Sequence, residues 1–189
     1  MLTLHTRVAS ADAAPLVDGV LVLPFSLREK SRQRATLQSG EEVALFMVRG
    51  TVLRHGDLLQ GDTESGRLRV VQIVAAEEPT YRVACESADA LLRCAFHLGN
   101  RHTQAQVGKD AQGAFLRIRH DPVLREMLQG LGAVVNTEAA AFEPEAGAYG
   151  GAHHRSNGTG GHMMAPVPLR QKIHRPSGYE DDLPGTLVR

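Results

Sequence analysis

The first 75 residues alternate short apolar runs with turn-forming residues at intervals of roughly ten positions. The apolar runs are rich in Val and Leu, and they cover residues 20–27, 35–38, 42–48, 51–59 and 67–75. Short apolar runs bounded by Gly, Ser and Asp are typical of β-strands, and several in succession favour a sandwich or barrel. The pattern therefore predicts a small all-β sandwich or barrel domain over residues 1–75.

The pattern changes after residue 79, where apolar positions begin to recur at helical spacing. In residues 87–98 they follow the spacing i, i+3, i+4, i+7, and they are Leu91, Cys94, Ala95 and Leu98. Ser87 can cap the first turn of this helix, because its hydroxyl accepts a hydrogen bond from a free backbone N–H. Gly99 and Asn100 tolerate the left-handed conformation that commonly ends a helix, so we expect the helix to end there.

A second helix is predicted over residues 120–132. Asp121 supplies an N-cap, Pro122 occupies the first turn where its missing N–H does no harm, and Gly132 ends the helix. Strands are predicted on either side of the two helices, at residues 81–85, 104–107, 115–118 and 134–142. The order β-α-β-β-α-β is the ferredoxin-like arrangement, which we assign to residues 76–147.

Residues 148–189 are rich in Gly, Pro, Ser and Asn and have almost no hydrophobic periodicity. Such a segment cannot bury enough apolar surface to offset its ordering entropy, so we expect a flexible C-terminal tail. Four of the nine histidines fall in it, namely His153, His154, His162 and His174. The predicted fold class is therefore α+β: an all-β domain, a ferredoxin-like domain and a flexible tail.

Composition excludes several classes of protein. The chain has 21 basic and 21 acidic residues, so no overall positive field would attract nucleic acid or an anionic membrane. No apolar run approaches the ~20 residues that span a bilayer, and the N-terminus lacks a signal-peptide pattern, so we expect a cytoplasmic protein. No nucleotide-binding, hydrolase or metalloprotease motif is present, and we expect no enzymatic activity.

A charged run follows the first predicted strand, and it comprises Arg28, Glu29, Lys30, Arg32 and Arg34. Charged side chains at the edge of a sheet keep it from pairing with other chains, so a solvated edge is one interpretation. A surface that docks another protein is the other interpretation.

The sequence HLGNRH at residues 97–102 places two histidines near the end of the first predicted helix. Five residues correspond to roughly 140° around a helix axis, so His97 and His102 cannot chelate one ion from a single helix face. From the residues alone, His102 is either a metal ligand or a histidine whose cationic form suits the negative end of the helix dipole. His120 has no such explanation, because it opens the second helix.

Three stretches, taken in order, resemble the UreE family, the nickel metallochaperones of urease maturation. They are KSR at 30–32 with RGTVLRHGDLL at 49–59, HLGNRH at 97–102, and FEPEAGAYGGAHH at 142–154. The resemblance implies a β domain that contacts partner proteins, a metal-binding ferredoxin-like domain and a homodimer. It also implies delivery of Ni(II) to apo-urease together with the GTPase UreG and the urease/UreD/UreF complex.

The resemblance also implies ligands. His102 takes the position of the family's metal-binding histidine at the dimer interface, where a two-fold axis supplies its partner from the second chain. His153 and His154 would complete the coordination, and His97 would be structural. His120 matches an accessory ligand, although Pro122 stands where some members have a second histidine.

Two other functions stay open at this point. Zn(II) and Cu(II) bind nitrogen ligands about as well as Ni(II) does, so both are expected to bind in vitro. The chain is therefore also compatible with a general Ni/Zn/Cu buffer, or with a protein-binding module on the same fold.

Overall fold

The computed structural model describes residues 1–8 and 16–146, and the regular elements of its N-terminal half are strands apart from one four-residue helix. Its elements are β1 (Leu2–Val8), β2 (Gly19–Leu23), α1 (Phe25–Arg28), β3 (Arg32–Thr36), β4 (Glu42–Phe46), β5 (Leu58–Asp62) and β6 (Leu68–Ala75). The six strands form one sheet in the order β2-β6-β5-β1-β4-β3. The backbone of Gln38, just past β3, donates to Val20 of β2, so the two edges of the sheet approach each other.

This nearly closed sheet confirms the predicted β domain. Its interior is aliphatic, in a chain of which only 4% of the residues are aromatic, and the fully buried side chains include Leu4, Leu21, Leu45, Leu59 and Ile73. More buried positions alternate with more exposed ones along β3 and along most of β2 and β6, so one face of these strands is turned to the core.

Three details of the predicted β domain are wrong. Strand β1 was not predicted, because only Leu2 and Leu4 of its seven residues are buried and apolar. The strand predicted over residues 20–27 stops at Leu23, since Pro24 is the N-cap of the short helix α1. Of the strand predicted over residues 51–59, only the last two residues belong to β5.

The second half has the elements β7 (Glu77–Ala84), α2 (Ala88–Asn100), β8 (Gln106–Asp110), β9 (Gly113–Arg119), α3 (Pro122–Gly130) and β10 (Val134–Ala141). Its four strands form an antiparallel sheet in the order β10-β7-β9-β8. The elements follow the order β-α-β-β-α-β, and β7, the first strand of this domain, lies between β9 and β10. Both features confirm the ferredoxin-like arrangement.

The predicted helix starts are also confirmed. The Ser87 hydroxyl accepts from the Ala90 N–H at 3.2 Å, and an Asp121 carboxylate oxygen accepts from the N–H groups of Val123 and Leu124. Each helix packs an apolar face against the sheet. Helix residues and strand residues together form one core cluster, which comprises Tyr81, Val83, Cys94, Leu98, Leu116, Ile118, Leu128, Ala133 and Val135. Capping and helical periodicity therefore fix these two elements locally.

Arg28 joins the two halves of the described chain. Its side chain is fully buried, so it is not part of the solvated edge considered from the sequence. The guanidinium donates to the carbonyls of Leu23 and Leu53 in the β domain, and to Glu143 and the Phe142 carbonyl just after β10. A buried arginine is tolerated only when its donors are satisfied, and here the partners come from both domains.

Residues 142–146 lie between the two domains. Phe142 packs edge-on against Phe25 of α1 with ring centroids 5.4 Å apart, and Arg54 donates to the Pro144 carbonyl at 2.7 Å. The other side of the segment meets the start of β8, where the Glu145 N–H donates to the Ala105 carbonyl at 2.9 Å. This segment therefore fixes the β domain against one end of the four-stranded sheet.

The predicted tail at residues 148–189 lies outside the described residues, and the predicted domain boundaries stay predictions. No helix in the described part of the chain is long and apolar enough to cross a membrane.

Candidate metal site

His102 lies at the C-terminal end of α2 in an unusual backbone conformation. Its φ is 53°, which makes it the only non-glycine residue with positive φ in the described part of the chain. Its N–H donates to the Gly99 carbonyl at 2.9 Å, and the next residue, Thr103, donates to the Leu98 carbonyl at 3.1 Å. These two bonds define a Schellman motif, in which the left-handed position is usually a glycine.

The predicted end of this helix is wrong by two residues, since α2 continues from residue 98 to Asn100. Gly99 and Asn100 were expected to take the left-handed position, but both are helical, and Arg101 is the C-cap. The left-handed residue is His102 itself. A non-glycine residue in this region costs free energy, and such residues concentrate at functional sites.

His97 occupies a different setting, three residues before the end of α2. It is half-buried, and its ring meets the Phe96 ring edge-on with centroids 5.6 Å apart. His102 lies beyond the regular helix, so the two imidazoles are placed by different elements of backbone.

A cavity of about 670 Å³ opens beside His102. Its walls come from the end of α1, from the turn after α2 and from the junction of β9 with α3, and they comprise Glu29, Arg101, His102, Thr103, Gln104, Arg119, His120, Asp121 and Leu124. His102 and His120 therefore line the same cavity, although they are eighteen positions apart in the sequence.

Hydrogen bonds hold much of the polar wall of this cavity. Gln104 donates to the Glu29 carboxylate at 2.8 Å and accepts from the Arg119 guanidinium at 3.2 Å. This chain of bonds crosses from the β domain to the ferredoxin-like domain. Asp121 caps α3 with one carboxylate oxygen, Oδ1, and its other oxygen takes no part in the cap.

His120 has a partner that the sequence did not reveal. Its Nε2 lies 2.8 Å from the hydroxyl of Tyr81, a residue of β7 whose side chain is almost fully buried. The two rings also stack, with centroids 4.5 Å apart and planes tilted by 36°. Nδ1 is therefore the nitrogen of His120 that Tyr81 leaves available.

Other histidines of the described chain are engaged elsewhere. His5 pairs with Asp62 at 3.0 Å, and Nδ1 of His55 accepts from the Ala75 N–H at 3.3 Å. His153 and His154 lie outside the described residues. Within residues 1–8 and 16–146, no three His, Cys, Asp or Glu side chains gather as a group that could hold a metal ion.

Large apolar side chains are exposed on the helical face of the ferredoxin-like domain. Leu92 and Phe96, one turn apart on α2, are 68% and 64% exposed, and Val123 at the start of α3 is 72% exposed. Leu92 and Phe96 lie on the opposite side of α2 from the buried Cys94 and Leu98. Exposed apolar side chains grouped on one helix mark candidate contact surfaces.

The fold and the site define a two-domain α+β protein with a strained, exposed histidine beside a cavity at the domain junction. Family models agree with both halves: the UreE urease accessory protein N-terminal domain matches residues 3–76, and its C-terminal domain matches residues 78–167. The chain belongs to the UreE family of urease accessory proteins, which confirms the resemblance noted in the sequence.

Curated relatives support the same assignment over nearly the whole chain. A urease accessory protein UreE of Janthinobacterium sp. strain Marseille is 62% identical over 177 residues, which cover 94% of this chain and 98% of the relative. One from Nitrosospira multiformis is 60% identical over 182 residues, covering 94% and 97%. These relatives are named as accessory proteins rather than as enzymes, in keeping with a non-catalytic role in urease maturation.

Proposed function

We propose that this protein is a nickel metallochaperone, which binds Ni(II) and delivers it for assembly of the urease nickel site. Membership of the UreE family supports a role in urease maturation. The observation that carries the metal-binding part is the exposed imidazole of His102, held in a left-handed conformation where glycine would be less strained. Strain at this position is understandable if the imidazole itself is needed there.

A homodimer would supply the second ligand. In a two-fold symmetric contact the same residue approaches from both chains, so one His102 per chain gives two ligands for one ion. The exposed Leu92 and Phe96 support a contact along α2, because burying them against a second copy would remove apolar surface from water. His102 lies at the end of the same helix.

His153 and His154 are proposed to complete the coordination. The described chain ends at residue 146, just past the bond between Glu145 and Ala105, and Ala105 is three residues from His102. Seven further residues span up to about 25 Å when extended, so the backbone of His153 can reach the His102 turn. Ligands that come from a separate segment can also leave, as a protein that hands over its metal requires.

His120 is proposed as an accessory ligand through Nδ1, with the Tyr81 hydroxyl accepting from its Nε2–H. A ligating imidazole usually donates its other N–H to a fixed acceptor, and Tyr81 is placed to be that acceptor. Zn(II) and Cu(II) are expected to compete with Ni(II) for these nitrogen ligands in vitro.

The proposed partners are the GTPase UreG and the urease/UreD/UreF complex, met in the cytoplasm. The β domain is proposed to contact them, and four residues of its charged run are exposed as such a contact requires: Glu29, Lys30, Arg32 and Arg34. A simple metal buffer would bind Ni(II) without accelerating activation of apo-urease. Activation of the purified apo-urease complex therefore distinguishes delivery from storage.

Calorimetry with Ni(II) tests the proposed site. His102→Ala should weaken the tight site by at least about 100-fold, because both ligands on the two-fold axis are lost together. His97→Ala is the matched control from the same sequence motif, and its affinity should stay within about threefold of the wild type. Molar mass is measured in parallel for both variants.

Truncation after Tyr149 completes the test. It should lower the number of Ni(II) ions bound and weaken the tight site, while the molar mass stays that of the wild type. An unchanged tight site in His102→Ala would overturn the assignment of His102. Monomers after truncation would show that the tail contributes to dimerisation, contrary to the proposal.

A further inference from the structure

Two thiols that the proposed function does not use lie side by side in the ferredoxin-like domain. Cys85 follows directly after β7, and Cys94 lies in the middle of α2; their Sγ atoms are 3.8 Å apart. We propose that these two residues form a reversible intrachain disulfide when the protein meets a peroxide. They are the only cysteines of the chain.

The geometry requires little movement. A disulfide bond is about 2.05 Å long, so the two sulfur atoms must approach by a little under 2 Å. Rotation of both side chains about χ1 supplies movements of this size, and the two Cα atoms already belong to elements that pack against each other in one core cluster. No unfolding of α2 or β7 is needed to bring the sulfur atoms together.

The two thiols differ in access to solvent. Cys94 is fully buried, whereas Cys85 is half-buried at the end of its strand. Burial, followed by the contact with Cys85, raises the pKa of the Cys94 thiol to about 11, so Cys94 is protonated near neutral pH. Cys85 is therefore the residue that a peroxide reaches first, and Cys94 is the one that resolves the product.

The chemistry takes two steps. The Cys85 sulfur attacks one peroxide oxygen, which breaks the O–O bond and gives a sulfenic acid and one water when the peroxide is hydrogen peroxide. The Cys94 thiol then attacks the Cys85 sulfur; the S–OH bond breaks, the S–S bond forms, and the thiol proton leaves with hydroxide as a second water. Two electrons pass from the thiol pair to the peroxide, and a dithiol reductant reverses the change.

The position of the bond suggests what it does. It joins the end of β7 to α2 without changing the packing between them, so the His102 turn at the far end of α2 keeps its place. A sulfenic acid without a resolving thiol proceeds to irreversible products under excess peroxide. The pair is therefore a protective device: Cys94 returns Cys85 to a reducible state.

The test treats the full-length protein with excess hydrogen peroxide under denaturant-free conditions. Thiol titration should show that both thiols are lost, and mass spectrometry should show a loss of two hydrogens in the peptide pair containing Cys85 and Cys94. Dithiothreitol should restore both thiols. In Cys94→Ser, the same treatment should instead leave Cys85 as a sulfenic acid that dimedone traps, followed by higher oxidation.

The matched variant is Cys85→Ser, in which the remaining Cys94 should react at least about tenfold more slowly than Cys85 does in Cys94→Ser, because it is buried and protonated. Disulfide-linked dimers in the wild type, or irreversible oxidation of Cys85 while Cys94 stays free, would overturn the proposal. Circular dichroism of both variants shows whether each has folded before its oxidation is compared.

Discussion

The two helices of the ferredoxin-like domain end in the same hydrogen-bond pattern but place different residues at its left-handed position. At the end of α3, Gly132 donates to the Gln129 carbonyl and Ala133 donates to the Leu128 carbonyl, both at 3.0 Å. At the end of α2, His102 and Thr103 make the same pair of bonds. The φ of Gly132 is 86° and the φ of His102 is 53°.

Glycine is the residue that takes this conformation at least cost, because it has no Cβ to meet the neighbouring carbonyl. The end of α3 therefore follows the general rule for helix ends. The end of α2 departs from it at His102, one of the residues to which the family resemblance assigns a metal-binding role. The difference supports the proposal that residue 102 is a histidine because its imidazole is needed and not because the turn requires it.

The largest effect on stability is expected at the end that obeys the rule. Gly132→Ala should lower the free energy of unfolding by about 1–2 kcal/mol, because alanine disfavours positive φ. A Cβ at this position would meet no atom within 4 Å, so the cost comes from the backbone alone. Denaturant unfolding in the presence of a chelator measures it.

Gly130→Ala is the matched control for this prediction. Gly130 belongs to α3 itself, has no positive φ, and has equally open space around its Cα. The same substitution there should stabilise the protein by about 0.5–1 kcal/mol. If both alanine variants moved stability in the same direction, the end of α3 would not be the reference that the comparison requires.

The sequence predicted the end of α3 correctly but not the end of α2, and the difference has a physical reason. The end of α3 was predicted correctly, because Gly132 is both the local signal for a stop and the residue that takes the left-handed position. At α2 the local signal was misleading, since Gly99 and Asn100 look like a stop but remain helical. Tertiary packing of Leu98 keeps the last turn in place, and local propensity is too weak to override it.

The same distinction holds across the molecule. The order of the ferredoxin-like elements followed from caps and periodicity, which are local properties. The contact of Arg28 with Glu143 spans 115 positions, and the hydrogen bond between Tyr81 and His120 spans 39. No periodicity marks either contact, so the buried state of Arg28 and the orientation of His120 could only come from the structure. His102 and His120 could thus be named as candidate ligands from the sequence, whereas the side chains that contact His120 could not.

A second prediction concerns the end that breaks the rule. His102→Gly should raise the free energy of unfolding of the metal-free protein by roughly 0.5–1 kcal/mol, because the strain at positive φ is relieved while unfolded-chain entropy offsets part of the gain. The same variant should lose tight Ni(II) binding. Gains in stability that accompany lost function are typical of positions where function requires strain.

Urea unfolding at one protomer concentration, with chelator present, checks this prediction. His102→Ala serves as the control, since it also removes the imidazole but leaves a Cβ at positive φ; it should be less stable than His102→Gly. A His102→Gly variant that is less stable than the wild type would mean that the imidazole itself contributes to folding, and the contrast between the two helix ends would lose its functional meaning.

The helices also differ in the side chains that they bury, and a third, pH-dependent prediction follows from the thiol of α2. Cys94 of α2 lies in the core cluster that also contains Leu128 of α3. Burial and the neighbouring Cys85 raise the pKa of Cys94 from 9.0 to about 11. The thiol is thus harder to ionise when folded than when unfolded, so its contribution to stability is complete below about pH 9 and is lost as pH rises through about 11.

Between pH 7.5 and pH 9.5 this difference should remove roughly 1 kcal/mol from the free energy of unfolding of the reduced wild type. Cys94→Ala lowers stability at every pH through its cavity, but it should lack this portion of the alkaline decline. Urea unfolding at the two pH values, with reductant present, gives the decline for each protein. Equal declines in the two proteins would show that the pKa of Cys94 is not raised on folding. The buried face of α2 would then contribute no more to the pH dependence of stability than the buried face of α3 does.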